Sequence, residues 1–158
     1  MENPGDGHAG TVVEINIAPA HEELPTPVQR ADAVAGRGLV GDRNFLADGD
    51  PQPERDADLT LIASEAIAAL TRETGIELAA AASRRNLLTR GIDLNALEGR
   101  RFRVGEVECD GIELCEPCRH LERLTEPGVM RGLVHRGGLR AAIVRGGEIA
   151  VGDRVSAI

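Results

Sequence analysis

Closely spaced strand-like segments in the last third of the chain constrain its fold most. Apolar and β-branched residues recur there in short runs that are separated by glycine-containing turns. The pattern predicts strands over residues 101–104, 106–109, 111–115, 139–144 and 148–155. Short strands at such regular spacing are typical of a barrel or a sandwich. We therefore expect a mainly β fold.

The first half of the chain adds strands and inserts helices between them. Strands are expected at 11–17, 28–34 and 59–62, with a long polar loop over 36–58. Ser64 is a natural N-cap for a helix that ends at Gly75, and further short helices are expected at 79–82, after Pro117 and at 129–135. The length of 158 residues suits one domain. We expect that domain to span 10–158, after a flexible N-terminal segment of residues 1–9.

Charge and composition exclude several functions. A net charge of −8 gives no general affinity for nucleic acid or for anionic membranes. Aromatic residues make up 1% of the chain, which leaves no platform for stacking bases. No apolar stretch approaches the roughly 20 residues that cross a bilayer, and the start lacks the apolar core of a signal peptide. Three cysteines, an odd number, fit a reducing compartment, so we expect a cytoplasmic protein.

All 18 basic side chains are arginine, and the chain has no lysine. Pyridoxal phosphate is held by enzymes as a Schiff base with lysine, so this chain cannot hold that cofactor in the usual way. A Walker A phosphate loop, which needs lysine, is excluded as well. Guanidinium groups remain well suited to binding phosphate or carboxylate.

The segment around Cys118 carries the strongest chemical signal. Pro117 is favoured at a first helical position, which would put Cys118 in the first turn, where the helix dipole favours an anion. Arg119 and His120 also favour the thiolate. Two plainer interpretations stay open, since free cysteine is often an inert buried residue. The C-x-x-C spacing with Cys115 is also found in dithiol redox pairs and in half of a zinc site.

Two polar clusters could line a binding site. One is the run Gly41-Asp42-Arg43-Asn44 in the long loop, which is either a site or an ordinary tight turn. The other is Arg84-Arg85-Asn86, just before an apolar strand. Adjacent arginines are commonly solvated surface charge. At the mouth of a pocket, however, they would bind a phosphate or another oxyanion.

Taken in order, these motifs resemble the MOSC domain, named for the C-terminal domain of molybdenum cofactor sulfurase. The resemblance runs over nearly the whole chain. Its markers are the segments 34–43, 84–87 and 99–105, the pair Pro117-Cys118 with Leu121, and the closing segment 146–153. It implies a barrel-like β fold. It also implies that Cys118 matches the family's cysteine, which is proposed to carry a persulfide in some relatives and binds molybdenum in others.

The resemblance further predicts a molybdenum cofactor (a molybdopterin). Its phosphate would be held by Arg84, Arg85 and Asn86, and its pocket rim shaped by Asp42, Arg43 and Asn44. Arg119 and His120 would stabilise the anionic sulfur of Cys118, which acts either as the molybdenum ligand or as a sulfur carrier. Sulfur from a cysteine-desulfurase type of donor, or electrons from a transfer protein, would come from a partner. The chain would then be a sulfurtransferase-like protein or part of a reductase of N-hydroxylated substrates.

Two alternatives from other classes remain at this stage. One is a non-catalytic barrel that binds an anion or a partner protein through Arg84 and Arg85. The other is a dithiol redox or zinc-binding role for Cys115 and Cys118. In the first hypothesis, Cys115 could also resolve a persulfide or sulfenic acid on Cys118 by forming a disulfide.

Overall fold

The computed structural model describes residues 9–19, 24–46, 57–79, 83–115 and 136–158. These residues form eleven strands, one α-helix and one short 3-10 helix. The strands are β1 (Ala9–Ile17), β2 (Thr26–Val28), β3 (Arg30–Val34), β4 (Gly38–Leu39), β5 (Leu59–Ala63), β6 (Leu87–Arg90), β7 (Arg101–Val104), β8 (Val107–Leu114), β9 (Leu139–Arg145), β10 (Gly147–Ala150) and β11 (Arg154–Ala157). The helix α1 covers Ser64–Thr74, and the 3-10 helix covers Leu94–Leu97.

Seven strands close into a barrel in the order β11-β7-β8-β9-β5-β6-β1, with β2 paired to the end of β1. Closure comes from β1 and β11, which pair antiparallel from Ala9↔Ser156 to Thr11↔Arg154. Closure matters because it removes the open sheet edges that would otherwise recruit other chains. Every neighbouring pair in the barrel is antiparallel except β5 and β6. Parallel strands need a crossover, and α1 lies within the connection that supplies it.

The barrel interior is filled by alternating apolar residues from all seven strands. Phe102 is the largest fully buried side chain, and Leu61, Leu87 and Leu139 are also completely buried. A smaller apolar cluster of Leu70, Ile76 and Leu78 lies under α1 and the chain that follows it. A three-stranded sheet, β10-β3-β4, adjoins the barrel. The expected mainly β, single-domain fold with a barrel-like core is confirmed.

Glycines account for two differences from the predicted strands. Residues 106–109 and 111–115 were expected to be separate strands, but β8 runs unbroken through Gly111. A Cβ on Gly111 would collide with the carbonyl oxygen of Leu97, so this glycine permits a close approach instead of making a turn. Conversely, 148–155 forms two strands, β10 and β11, because the chain turns at Gly152, which has a φ of +97°.

The start of α1 also differs from the prediction. Ser64 is the first helical residue, and the N-cap is Ala63, which offers no side-chain hydrogen bond. The end is as expected: Gly75 adopts a φ of +77°, and its N–H donates to the carbonyl of Thr71. This left-handed cap is a common use of glycine.

Several expectations concern other parts of the chain. The predicted 36–58 loop contains strand β4 within its described part. Ala9, assigned to the flexible N-terminal segment, is the first residue of β1. The helices expected after Pro117 and at 129–135, and most of the 79–82 piece, lie outside the described residues. Among the helices that are described, none is long and apolar enough to cross a membrane.

Candidate functional site

The Asp42 loop folds against the residue that follows β1. Asp42 is buried, and its Oδ1 accepts a hydrogen bond from the N–H of Ala18 at 3.0 Å. Its Oδ2 accepts from the N–H of Asn44 at 3.3 Å. The N–H of Arg43 donates to the carbonyl of Ala18 at 2.7 Å. The Asp42 carboxylate therefore holds the loop in place, while the side chains of Arg43 and Asn44 are half-buried.

Asn86 joins three strands of the barrel. Its Oδ1 accepts hydrogen bonds from the N–H and the hydroxyl of Thr60, at 3.1 and 3.2 Å. Its Nδ2 donates to the carbonyl of Asn16 at 3.3 Å, and the N–H of Asn16 donates back to the Asn86 carbonyl at 2.7 Å. Asn16 and Ala18 are two residues apart. The structure therefore brings both predicted polar clusters to the same end of β1.

Arg84 has an unusual backbone conformation, and Arg85 makes a long-range side-chain hydrogen bond. Arg84 has a φ of +64°, and it is the one non-glycine residue with positive φ among those described. Such strain persists only where the surroundings hold it, and it is frequent at functional sites. Arg85 is half-buried, and its Nε–H donates to the carbonyl of Gly137 at 2.9 Å. This bond takes Arg85 to the beginning of β9.

Cys115 lies beside the same point. It is buried, and its N–H donates to the carbonyl of Gly138 at 2.7 Å. The side chain of Arg85 and the backbone of Cys115 are thus held by two consecutive carbonyls. Gly138 itself is closely packed: its φ is +114°, and a Cβ there would collide with the carbonyl oxygen of Leu61.

The other predicted site residues, Cys118, Arg119 and His120, lie outside the described residues and stay predictions. The structure does describe the six residues of the two polar clusters, Asp42, Arg43, Asn44, Arg84, Arg85 and Asn86. Their role in binding a cofactor also stays a prediction. Within the described ranges, no group of three or more His, Cys, Asp or Glu side chains is arranged to hold a metal ion.

Cys109 differs from the candidate site residues in its environment. Its side chain is completely buried in the barrel core. Burial, with smaller effects from Asp110 and Asp58, raises the pKa of the Cys109 thiol to about 12. A thiol with so high a pKa is neutral and unreactive near pH 7. Cys109 is therefore a packing residue.

The sequence did not predict an open cleft of about 410 Å³ that borders this region. Its lining includes the first turn of α1, the segment 91–95 after β6, and Arg136 and Gly138 at the start of β9. Glu65 on one wall accepts a hydrogen bond from the N–H of Gly91 at 2.8 Å. The cleft thus adjoins the glycine that binds the backbone of Cys115. No motif signalled it, because its walls come from three separate parts of the chain.

Asn16 is a further residue that sequence reasoning missed. Its side chain is 1% exposed, and neither its Nδ2 nor its Oδ1 has a hydrogen-bond partner in the described part of the chain. Buried polar atoms are nearly always hydrogen-bonded, so this is an exception. The signal was present as one carboxamide in the otherwise apolar end of a strand, Ile15-Asn16-Ile17.

The closed seven-stranded barrel, with the Arg85 side chain and the Cys115 backbone held at the start of β9, defines this protein as a β-barrel domain. Residues 21–156 match the family model of the MOSC domain, and the chain belongs to that family. The family is associated with molybdenum cofactor binding and with sulfurase-like roles. The comparison with curated protein sequences gave no match.

Solved structures support the fold. The YuaD protein from Bacillus subtilis is similar with a TM-score of 0.78 and 16% identity, and the match covers 94% of this chain and 95% of that one. YiiM from Geobacillus stearothermophilus gives a TM-score of 0.70 at 17% identity, over 94% of this chain and 75% of that one. YiiM from Escherichia coli gives a TM-score of 0.70 at 18% identity, and the match covers 94% of this chain and 69% of that one. At these identities the likeness concerns the fold alone.

Proposed function

We propose that this chain binds a molybdenum cofactor or carries sulfur, with the sulfur of Cys118 as the working atom. One observation carries the proposal. The Arg85 guanidinium and the Cys115 backbone bind the consecutive carbonyls of Gly137 and Gly138. A basic side chain therefore lies at the base of the connection that contains Cys118.

In the sequence, Cys118 follows Cys115 by three residues. Neighbouring cations lower the pKa of a thiol and favour the thiolate. Arg119 and His120 in the sequence would act in the same direction. A thiolate can hold a sulfane sulfur or bind a soft metal.

The described residues also fit the phosphate end of a molybdopterin. Arg43 and Arg85 are half-buried, and guanidinium groups bind phosphate through paired hydrogen bonds. Asn86 and Asp42 already use their side chains within the protein, so we propose that they shape the pocket. When bound, the cofactor would supply a redox-active metal. This chain would hold its phosphate and offer one sulfur, while a partner supplies sulfur or electrons in the cytoplasm.

Metal analysis and intact-mass measurement of freshly purified protein test the proposal. Stoichiometric molybdenum that disappears in Cys118→Ala would support ligation. A mass increase of one sulfur atom, located on Cys118 and without metal, would support the carrier role. Cys109→Ala is the matched control, because it removes a thiol from the core and should change neither result.

Other results would overturn the proposal. Wild type and Cys118→Ala with the same metal content and no sulfur adduct would exclude both roles. Stoichiometric zinc, or a reversible Cys115–Cys118 disulfide, would favour the dithiol alternative instead. Phosphate binding that survives Cys118→Ser but is lost when Arg84 and Arg85 are both changed to Gln would indicate a non-catalytic anion-binding module.

A further inference from the structure

We propose that the carboxylates of Glu106 and Asp153 mask the open edge of strand β10 and so prevent a second copy of this chain from pairing with it. The three-stranded sheet β10-β3-β4 has β10 at one end, and within the described residues no other strand pairs with that edge. An unpaired strand edge presents N–H and C=O groups to which another strand can bind. The inference concerns association between chains and does not depend on the proposed role of Cys118.

The first step is the direction of the N–H groups in β10. This strand pairs antiparallel with β3 along its whole length. The N–H of Val151, directly after β10, donates to the carbonyl of Gln29, directly before β3. Hydrogen-bonding groups alternate between the two sides of a strand. The N–H groups of Glu148 and Ala150 therefore point away from β3, toward the open edge.

The second step is that both of these N–H groups are bonded to a carboxylate. The N–H of Glu148 donates to Oε1 of Glu106 at 3.0 Å, and the N–H of Ala150 donates to Oδ2 of Asp153 at 2.9 Å. Glu106 lies in the turn between β7 and β8, and Asp153 lies in the turn between β10 and β11. Bonds to an ionised acceptor are stronger than those between neutral groups. An incoming strand would have to displace both carboxylates.

Two glycines provide the room that the carboxylates occupy. A Cβ on Gly147 would lie 2.6 Å from Oε1 of Glu106, and a Cβ on Gly105 would lie 2.5 Å from Oδ2 of Asp153. Both distances are too short for atoms that are not bonded to each other. A side chain at either glycine would therefore push the carboxylate away from the N–H that it accepts from.

Space beside β10 is available to another chain. An open cavity of about 280 Å³ lies at this edge, and it is lined by Gly105, Glu106, Glu148, Ala150 and Asp153. The side chain of Ile149, in the middle of β10, is completely buried in the core. The strand is therefore held in place while its outer edge faces the cavity.

The edge of β10 is complementary to itself. In an antiparallel pair centred on Ile149 of each copy, Glu148 of one copy lies opposite Ala150 of the other. The outward N–H groups of both copies then meet carbonyl groups in register. The two Glu148 side chains are not directly opposite each other, which avoids the unfavourable pairing of like charges. A second copy of this chain is therefore the partner that the masked edge would accept.

Sedimentation velocity tests the proposal by comparing the wild type with two double variants that lose the same two charges. Glu106→Ala with Asp153→Ala removes the acceptors, whereas Glu106→Gln with Asp153→Asn keeps side-chain oxygens that can accept the same bonds. We expect the alanine pair to self-associate at least about tenfold more tightly than the wild type, because several hydrogen bonds between chains become available. The Gln/Asn pair should associate like the wild type. Equal association of the two double variants would overturn the proposal.

Hydrogen exchange locates the contact. In the alanine pair, exchange of the Glu148 and Ala150 amides should slow as the protein concentration rises, because these N–H groups enter bonds between chains. Association without this slowing would place the contact on another surface and would overturn the proposal as well.

A single substitution keeps the test decisive if the alanine pair does not fold. Glu106→Ala changes one exposed residue in a turn, and Glu106→Gln is its matched control. Glu106→Ala should self-associate more tightly than Glu106→Gln, with slower exchange of the Glu148 amide at high protein concentration. Self-association of Glu106→Ala that is no tighter than that of Glu106→Gln would contradict the masking role.

Discussion

Two buried asparagines lie side by side, Asn16 near the end of β1 and Asn86 just before β6, and their side chains differ in hydrogen bonding. In the side chain of Asn86, Oδ1 accepts from Thr60 and Nδ2 donates to the carbonyl of Asn16. The side-chain amide of Asn16 has no hydrogen-bond partner within the described residues. Apolar replacement of a buried hydrogen-bonded group leaves its partners unsatisfied, while replacement of an unpaired group removes a desolvation cost. The two residues should therefore respond differently to the same substitution.

We expect Asn86→Leu to lower the free energy of unfolding by about 2 to 4 kcal/mol, because the N–H of Thr60 loses its acceptor. Asn16→Leu should be neutral or stabilising. Urea denaturation of the two variants measures both effects. A large destabilisation by Asn16→Leu would show that its amide has a partner, such as an internal water.

At the scale of elements, the start of β9 depends on one glycine. Gly138 combines a φ of +114° with the close contact to the carbonyl oxygen of Leu61. Gly152, in the turn before β11, has a φ of +97°, but a Cβ added there would meet no other atom within 4 Å. Alanine substitutions at Gly138 and Gly152 therefore separate the free-energy cost of an unfavourable backbone conformation from the cost of steric overlap.

Gly138→Ala should therefore destabilise the protein by about 1 to 3 kcal/mol more than Gly152→Ala, since only the former adds overpacking to backbone strain. Thermal or urea unfolding of both variants provides the comparison. Equal losses would mean that β9 can shift away from β5 without cost.

Element boundaries show where sequence patterns succeed. The strands at 101–104, 139–144 and 59–62 and the glycine end of α1 follow from local alternation and capping, and all are found within a residue of the prediction. The patterns failed at Gly111 and Ser64. The local sequence could not reveal that the Leu97 carbonyl packs on Gly111, nor that the helix begins one residue earlier than expected.

At the scale of the whole molecule, alkaline titration is unusually simple. The chain has no lysine and no tyrosine, so cysteine thiols are the side chains expected to titrate between about pH 9 and 12. Burial raises the folded-state pKa of Cys109 to about 12, from an ordinary value of 9.0. The unfolded chain therefore releases the Cys109 proton first, and stability falls as the pH rises above the unfolded-state value.

We expect the free energy of unfolding to fall above pH 9 by up to about 1.4 kcal/mol per pH unit through Cys109, with the loss levelling off near pH 12. Below pH 8 this thiol contributes no pH dependence. Urea denaturation at a series of pH values should show the slope in wild type and its loss in Cys109→Ala. The same slope in both proteins would show that Cys109 is not its source.

The sequence alone determined the mainly β architecture, the single domain, the exclusion of lysine-based chemistry and the polar clusters around Asp42 and Arg84. These follow from residue type and local spacing, which act over a few residues. Only the tertiary structure decided that both clusters meet at the end of β1 and that Arg85 reaches the carbonyl of Gly137, next to the residue that binds Cys115. It also decided that Asn86 is an internal tie and Asn16 an unpaired amide within the described part of the chain. Barrel closure brings together residues that are distant in the chain, and no local pattern records which of them will meet.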